Sequence, residues 1–271
     1  MKWITILLAA SSVPAGAQWL NYRETGTPRT KDGKPNLSAP APRVKGRPDL
    51  SGVWEAERTP LIEYTRAFGE DVAKLQVDLN DATKYVQSVF WGVKPEDQPL
   101  RPEALAAMKR SSGTPVPSSR CLPMGVPGGL FVYTFKMIQA PREIIVLPGG
   151  GDPPRQIYTD GRGLPEDPQP AWMGYSVGKW EGDTLVVETT GFTEASWLDG
   201  ARHPRSEQMR VEERYRRRDF GHIDLEVNFN DPKYYTRQFG FRTVLNLVAD
   251  SDVLEFVCNE NEKDQAHTAK H

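Results

Sequence analysis

Histidine is scarce in this chain, cysteine scarcer, and surplus charge of either sign is missing. The 271 residues hold four histidines and two cysteines, with a formal net charge of -2. Near-neutrality leaves no global field to recruit a polyanion or an acidic membrane surface. Two of the four histidines, His267 and His271, sit in a polar tail, so the supply of ligands argues against a zinc or iron centre. Signature strings are missing as well: there is no H-E-x-x-H and no G-x-S-x-G elbow. The three glycines of "LPGGGDPP", residues 147 to 154, precede no helix start, so they fit neither a dinucleotide nor a phosphate loop. The tail "CNENEKD", residues 258 to 264, offers oxygen ligands for calcium but lacks the D-x-[DN]-x-[DN]-G spacing. No metal and no cofactor is therefore expected. No internal repeat stands out, and past the first twenty residues no apolar run approaches the roughly 18 to 20 residues of a membrane-spanning helix.

The start of the chain predicts a compartment. Lys2 precedes the apolar run "WITILLAASSVPAG", and Ala15-Gly16-Ala17 supplies the small residues of a cleavage site. A signal peptide over 1–17, cut between Ala17 and Gln18, predicts a periplasmic or extracellular protein. The run is too short for an anchor, and Ser11, Ser12 and Pro14 weaken it further. In an oxidising compartment Cys121 and Cys258 most simply form one disulfide. A catalytic thiol is the alternative, but neither cysteine lies in a redox or thiol-protease signature.

Residues 18–49 form an arm rich in proline and basic residues, with too little apolar surface to order itself alone. It is a flexible tether or a strap laid over the domain. Residues 50–265 read as a single β-rich domain with a helical insertion at about 61–110, followed by a tail over 266–271. The insertion is marked by apolar spacing at Val72, Leu75, Leu79 and Val86, and by Pro102 leading into "EALAAMK". From Gly129 onward nine short β-branched and aromatic runs follow one another, "VLEFVC" being the last, and Gly52 to Glu57 adds a tenth. Short strands in series with tight turns predict an antiparallel barrel or strongly curved sheet. Gly182-Asp183, between two such runs, predicts a tight hairpin.

The segment "EERYRRRDFGHIDLEVNFND", residues 212 to 231, carries the densest arginine run. A three-residue loop at Asp219-Phe220-Gly221, with Gly221 left-handed, sets Arg218 opposite His222, Arg216 opposite Asp224 and Arg214 opposite Glu226. Met209, Val211 and Tyr215 then share the other face with Ile223, Leu225, Val227 and Phe229. A two-residue loop would invert the faces. Because the arginines have partners across this ladder, nucleic acid is not an expected partner. Glu213 breaks the pattern, falling on the apolar face, where a carboxylate is costly unless satisfied. It is either a buried salt bridge with Arg242 or Arg155, or a ligand-facing carboxylate whose desolvation suits it to acid or base work.

Two further stretches gather polar and aromatic groups. Tyr158, Asp160, Arg162, Trp172 and Tyr175 surround a proline-rich loop, where binding groups on β scaffolds collect. Asp160-Gly161 equally reads as a plain turn. Trp197, Asp199, His203, Ser206 and Glu207 cluster ahead of a strand, inviting a Ser-His-Asp reading that only spatial geometry can decide. His203 and Glu207 have the spacing of a helical metal pair, but Pro204 intervenes.

The strings "RCLPMGVPGG", "IYTDGRGLPEDPQPAWMGYSVGKWEGDTLVVETTGF", "SWLDGARHPRSEQMRVEERYRRRDFGHIDLEV" and "DPKYYTRQF…VCNENEKD" resemble a family of secreted bacterial proteins of unknown function. The resemblance spans about residues 50 to 265 and implies export and a β-rich fold, with no chemistry. The chain departs from that pattern at Arg205, where a histidine is expected beside Ser206, and carries its histidine at 203. The G-x-W of Gly52-Val53-Trp54 is similar to the opening of a lipocalin-type, calycin-like barrel. The leading expectation is an exported barrel binding a small organic ligand in its mouth or interior. Glu213, Asp160 and Tyr158 are candidate catalytic groups, and Arg162, Trp172, Tyr175, Trp197 and His203 candidate ligand contacts. The alternatives are a metal-free acid–base hydrolase, lyase or isomerase, and a cell-envelope interaction module.

Overall fold

The structure is a computed structural model that describes residues 22–68 and 83–258. The expected leader 1–17, the spacing residues Val72, Leu75 and Leu79, the tail 266–271, and His267 and His271 lie outside the described residues. Nine strands close into a barrel: β3 (Gly52–Ala56), β4 (Phe135–Gln139), β5 (Glu143–Pro148), β6 (Arg155–Tyr158), β7 (Tyr175–Glu181), β8 (Thr184–Thr190), β9 (Arg210–Arg217), β10 (His222–Asn230) and β11 (Phe239–Leu247), with β11 returning to β3. A separate two-stranded hairpin, β1 (Arg43–Val44) and β2 (Arg47–Pro48), lies in the arm.

The expected all-antiparallel arrangement holds everywhere except β6–β7, which run parallel. Strand directions cannot alternate around a ring with an odd number of members, so one junction must be parallel. The chain places it at β6–β7 by running residues 159–174 back along the wall. That junction is also the shortest in register, with only Ile157↔Ser176 and Tyr158↔Val177 paired. "VLEFVC" forms no strand, because a closed ring leaves no edge to receive it. It lies instead along the turn at Gly149–Gly151, where a Cβ on Gly151 would meet the Phe256 ring at 2.9 Å. The segment is tied there by the Cys121–Cys258 disulfide, which spans 137 residues of sequence.

The arginine hairpin adopts the three-residue loop, with Asp224↔Arg216, Glu226↔Arg214 and Val227↔Glu213 in register. Gly221 is not left-handed, however. Its missing side chain serves a close approach: a Cβ there would lie 2.5 Å from Leu37 Cβ, and its N–H donates to the Leu37 carbonyl at 2.8 Å. Across β9–β10 the charges do not pair directly with the facing residue, whereas Arg242 and Glu226 face each other across β10–β11. Arg218 meets Asp224 at 2.6 Å, Arg214 meets Glu181 at 2.7 Å and Arg242 meets Glu226 at 3.1 Å. At Gly182-Asp183 the hairpin is a two-residue turn with φ 59° at Gly182, as a type II′ turn requires.

Both ends of the barrel are covered. The arm crosses the end that carries the β9–β10 turn, where Ala39 and Leu37 accept backbone bonds from Phe220 and Gly221. Arg29 and Glu24 both bond Asp250 there, and Arg43 meets Asp183. The long excursion between β3 and β4 covers the opposite end. Its helices are α1 (Leu61–Phe68), α2 (Lys84–Gln87) and α3 (Pro102–Ser111), the last opening with Pro102 at the tolerated first position. Trp54, Phe135, Met137, Ile144, Ile157, Leu185, Val187, Ile223, Leu225, Val227 and Leu245 fill the space between.

Candidate functional site

Glu213 faces inward on β9 and is 0 % exposed. Arg155 of β6 donates to it through both Nη atoms, the Nη1 bond measuring 3.0 Å, and the Tyr215 hydroxyl donates to Oε1 at 2.7 Å. The same guanidinium reaches Ser176 of β7 at 3.1 Å and Thr189 of β8 at 2.9 Å. Burial pulls the Arg155 pKa down, but the charge and hydrogen bond of Glu213, together with Tyr215, outweigh it and hold the group above its ordinary value. Burial, reinforced by the same carboxylate, pushes the Tyr215 phenol well up. One ionic cluster thus reaches from β6 to β9 across the inner face of the parallel junction. Arg242, the other partner considered from sequence, lies outside on Glu226.

Tyr158, Asp160, Arg162 and Tyr175 come together on the outer face of that junction. Tyr158 alternates outward from Ile157 on β6, and Tyr175 outward from Ser176 on β7. Their rings lie 5.3 Å apart. The Arg162 guanidinium sits 3.9 Å over the Tyr158 ring and donates to Tyr175 Oη at 3.2 Å and to Asp160 Oδ2 at 2.7 Å. Hydrogen bonds from Arg162, with help from Arg142, hold the Asp160 carboxyl well below the usual range. The Tyr158 hydroxyl donates to Gln156. The wall therefore separates Glu213 from this cluster, and the two do not share a cavity.

The other predicted residues are distributed among structural contacts. The Trp172 carbonyl accepts from Arg205, and Arg202 lies 4.6 Å over the Trp197 ring. His203 is buried, with Nδ1 2.6 Å from Asp199 Oδ2 and Nε2 3.4 Å from Gln98 Oε1. Ser206 donates instead to Asp231 at 2.8 Å, so serine and histidine belong to different pairs. Glu207 is exposed while His203 is buried, which separates the pair considered for metal. Among the described residues no group of three or more histidine, cysteine, aspartate or glutamate side chains is placed to hold a metal. No helix among them is long and apolar enough to cross a membrane. Arg205, where the sequence departs from the resembled pattern, is buried over Phe192 and donates to the Thr193, Val126 and Trp172 carbonyls. Burial lowers its pKa to about 10.

A concave site that none of these residues marks lies at the barrel rim. β3 ends at Ala56 opposite Leu245, and Glu57 N–H adds one more bond to the Val244 carbonyl. Residues 239–243 of β11 thus rise above the last ladder pair on that side. The chain around α2 packs into the notch, with Tyr85 stacked on Phe241 at 4.0 Å and Phe90 4.6 Å from Phe239. Between them is a crevice of about 230 Å³, walled by Tyr85, Phe90, Trp91, Phe239 and Phe241 with Arg237 at its lip. The string "RQFGF", residues 237 to 241, was the available signal: aromatic residues alternate around a glycine beside a cation. Read alone, it is only the start of a strand. A larger groove of about 390 Å³ on the outer wall is lined by Arg214, Arg216, Asp224, Glu226 and Arg242, charges that largely match one another.

No known protein family, curated protein or solved structure matches the chain.

Proposed function

We propose that this is an exported barrel that binds a small organic molecule at its rim, in the crevice between β11 and the chain around α2. The carrying observation is where the aromatic surface lies: five aromatic side chains wall one crevice, while the barrel interior is occupied by core residues and the Arg155–Glu213 cluster. Small-ligand sites are concave, mostly apolar and furnished with few polar groups. At about 230 Å³ the crevice falls below the roughly 300 to 1,000 Å³ of drug-sized sites, so a one- or two-ring compound is the right scale. Export accords with the disulfide, since such bonds persist in oxidising compartments. The acid–base alternative would need a carboxylate open to substrate, and both Glu213 oxygens are engaged by Arg155 and Tyr215.

The test is a melting-temperature and native mass-spectrometry screen of small aromatic compounds against the mature protein, repeated on Phe239→Ser. A ligand held at 100 times its Kd stabilises the fold by about 2.7 kcal/mol. We expect single-ring or two-ring compounds to raise the wild-type melting temperature and to lose that effect on the variant. A library that shifts neither protein, or shifts both equally, overturns the rim site.

A further inference from the structure

We propose that the rim ligand is an aromatic anion, its ring held by the aromatic walls and its acidic group by Arg237; this rests on the rim-binding reading above. Aromatic walls favour a ring, because offset and edge contacts add attraction beyond buried area. The lining contains a single charged side chain, and it is a cation.

Arg237 is also free enough to serve. It is exposed, and its hydrogen bond to the Asp97 carbonyl is a long one, 3.5 Å from Nη2. This contrasts with Arg155, Arg162, Arg214 and Arg218, each bonded to a carboxylate. A guanidinium with donors to spare matches a carboxylate in fork geometry. Gly240 serves the wall rather than the crevice, since a Cβ there would point to the face opposite Phe239 and Phe241 and strike the Val227 carbonyl oxygen at 2.2 Å.

The probes are 2-naphthoate and its neutral counterpart 2-naphthylmethanol, titrated at low salt against wild type, Arg237→Gln and Phe239→Ser, with circular dichroism and melting curves as fold controls. Wild type should prefer naphthoate by about tenfold, the scale of a charge-assisted bond trimmed by solvent. Arg237→Gln should abolish that preference and leave naphthylmethanol unchanged. Phe239→Ser should weaken both. Equal affinity for the two probes in wild type, or a preference that survives Arg237→Gln, overturns the anion assignment while leaving the rim site standing. If neither probe binds any of the three proteins, the rim reading itself fails, and this inference with it.

Discussion

Changing Glu213 to glutamine is the sharpest test of what holds the parallel junction together. The substitution keeps the volume and removes the charge, leaving the fully buried Arg155 guanidinium without a counter-ion. Breaking a buried ion pair by removing one partner costs about 3 to 5 kcal/mol. For a chain of this size that is a fall of roughly 6 to 20 °C in melting temperature. The double variant Arg155→Met with Glu213→Leu removes both charges. Ser176 and Thr189 keep each other at 3.0 Å, and the Tyr215 hydroxyl is left without its acceptor. One unsatisfied hydroxyl costs about 1 to 3 kcal/mol, against a gain of similar size from replacing a buried pair by hydrocarbon. The double variant should therefore lie within about 2 kcal/mol of the parent and be more stable than Glu213→Gln. Urea unfolding with the disulfide intact, followed by tryptophan fluorescence and circular dichroism, measures all three. Hydrogen exchange should show residues 155–158 and 175–177 losing protection first in Glu213→Gln. If Glu213→Gln loses less than about 1 kcal/mol, or the double variant is no more stable than Glu213→Gln, the cluster is not the clamp described here.

The disulfide and the arm give two further tests. Replacing Cys121 and Cys258 by serine opens a loop of 137 residues, worth about 5 kcal/mol in the chain-entropy model; an unchanged urea midpoint in the oxidised wild type and the serine variant would remove that role. The arm should loosen in acid. A hydrogen bond from Arg29, with the fixed charge behind it, holds the Asp250 carboxyl below its ordinary range. The folded state then binds that proton more weakly than the unfolded chain, so the contribution is present above about pH 4 and is lost as pH falls further. Hydrogen exchange over residues 24–39, corrected for intrinsic rate, should quicken between pH 5 and pH 3, and Asp250→Asn should reproduce the effect at neutral pH. Equal protection at both pH values in the wild type would count against it.

The fold was legible where one period settled the matter. The alternation in "RVEERYRRRDFGHIDLEVNF" admits one register, because a slip by one residue would turn Tyr215, Leu225 and Phe229 to water, and that register is the one the barrel uses. The same reading placed Glu213 inside but could not choose its partner. Arg155 lies 58 residues away, and nothing local marks it as the arginine that turns inward. "VLEFVC" misled because its composition is that of a strand, while ring closure, a global property, left it no neighbour. Gly221 misled in the opposite sense: a turn glycine invites a left-handed reading, and the distant Leu37 supplied the reason. The rim crevice was invisible for a related cause. Its walls come from residues 85–93 and 237–241, and only the premature end of β3 brings them together.

The residues that looked most like a site share one location, and strand parity explains it. Nine strands in a ring must include a parallel junction, and a parallel junction needs a long return along the wall. In this chain the return, residues 159–174, is the proline-rich loop that gathered Asp160, Arg162 and Trp172 in sequence. The junction itself has two registered pairs, the fewest in the ring alongside neighbours of three to eight. Few ladder bonds leave side chains to hold it. The inner face is closed by Arg155, Ser176, Thr189 and Glu213, and the outer face by the Tyr158–Arg162–Tyr175 stack with Asp160. Dense polar and aromatic clustering, the usual mark of chemistry, here coincides with the weakest backbone pairing in the wall. The rim crevice has the reverse character: one charge and aromatic surface at an opening, which are the properties a bound molecule can use.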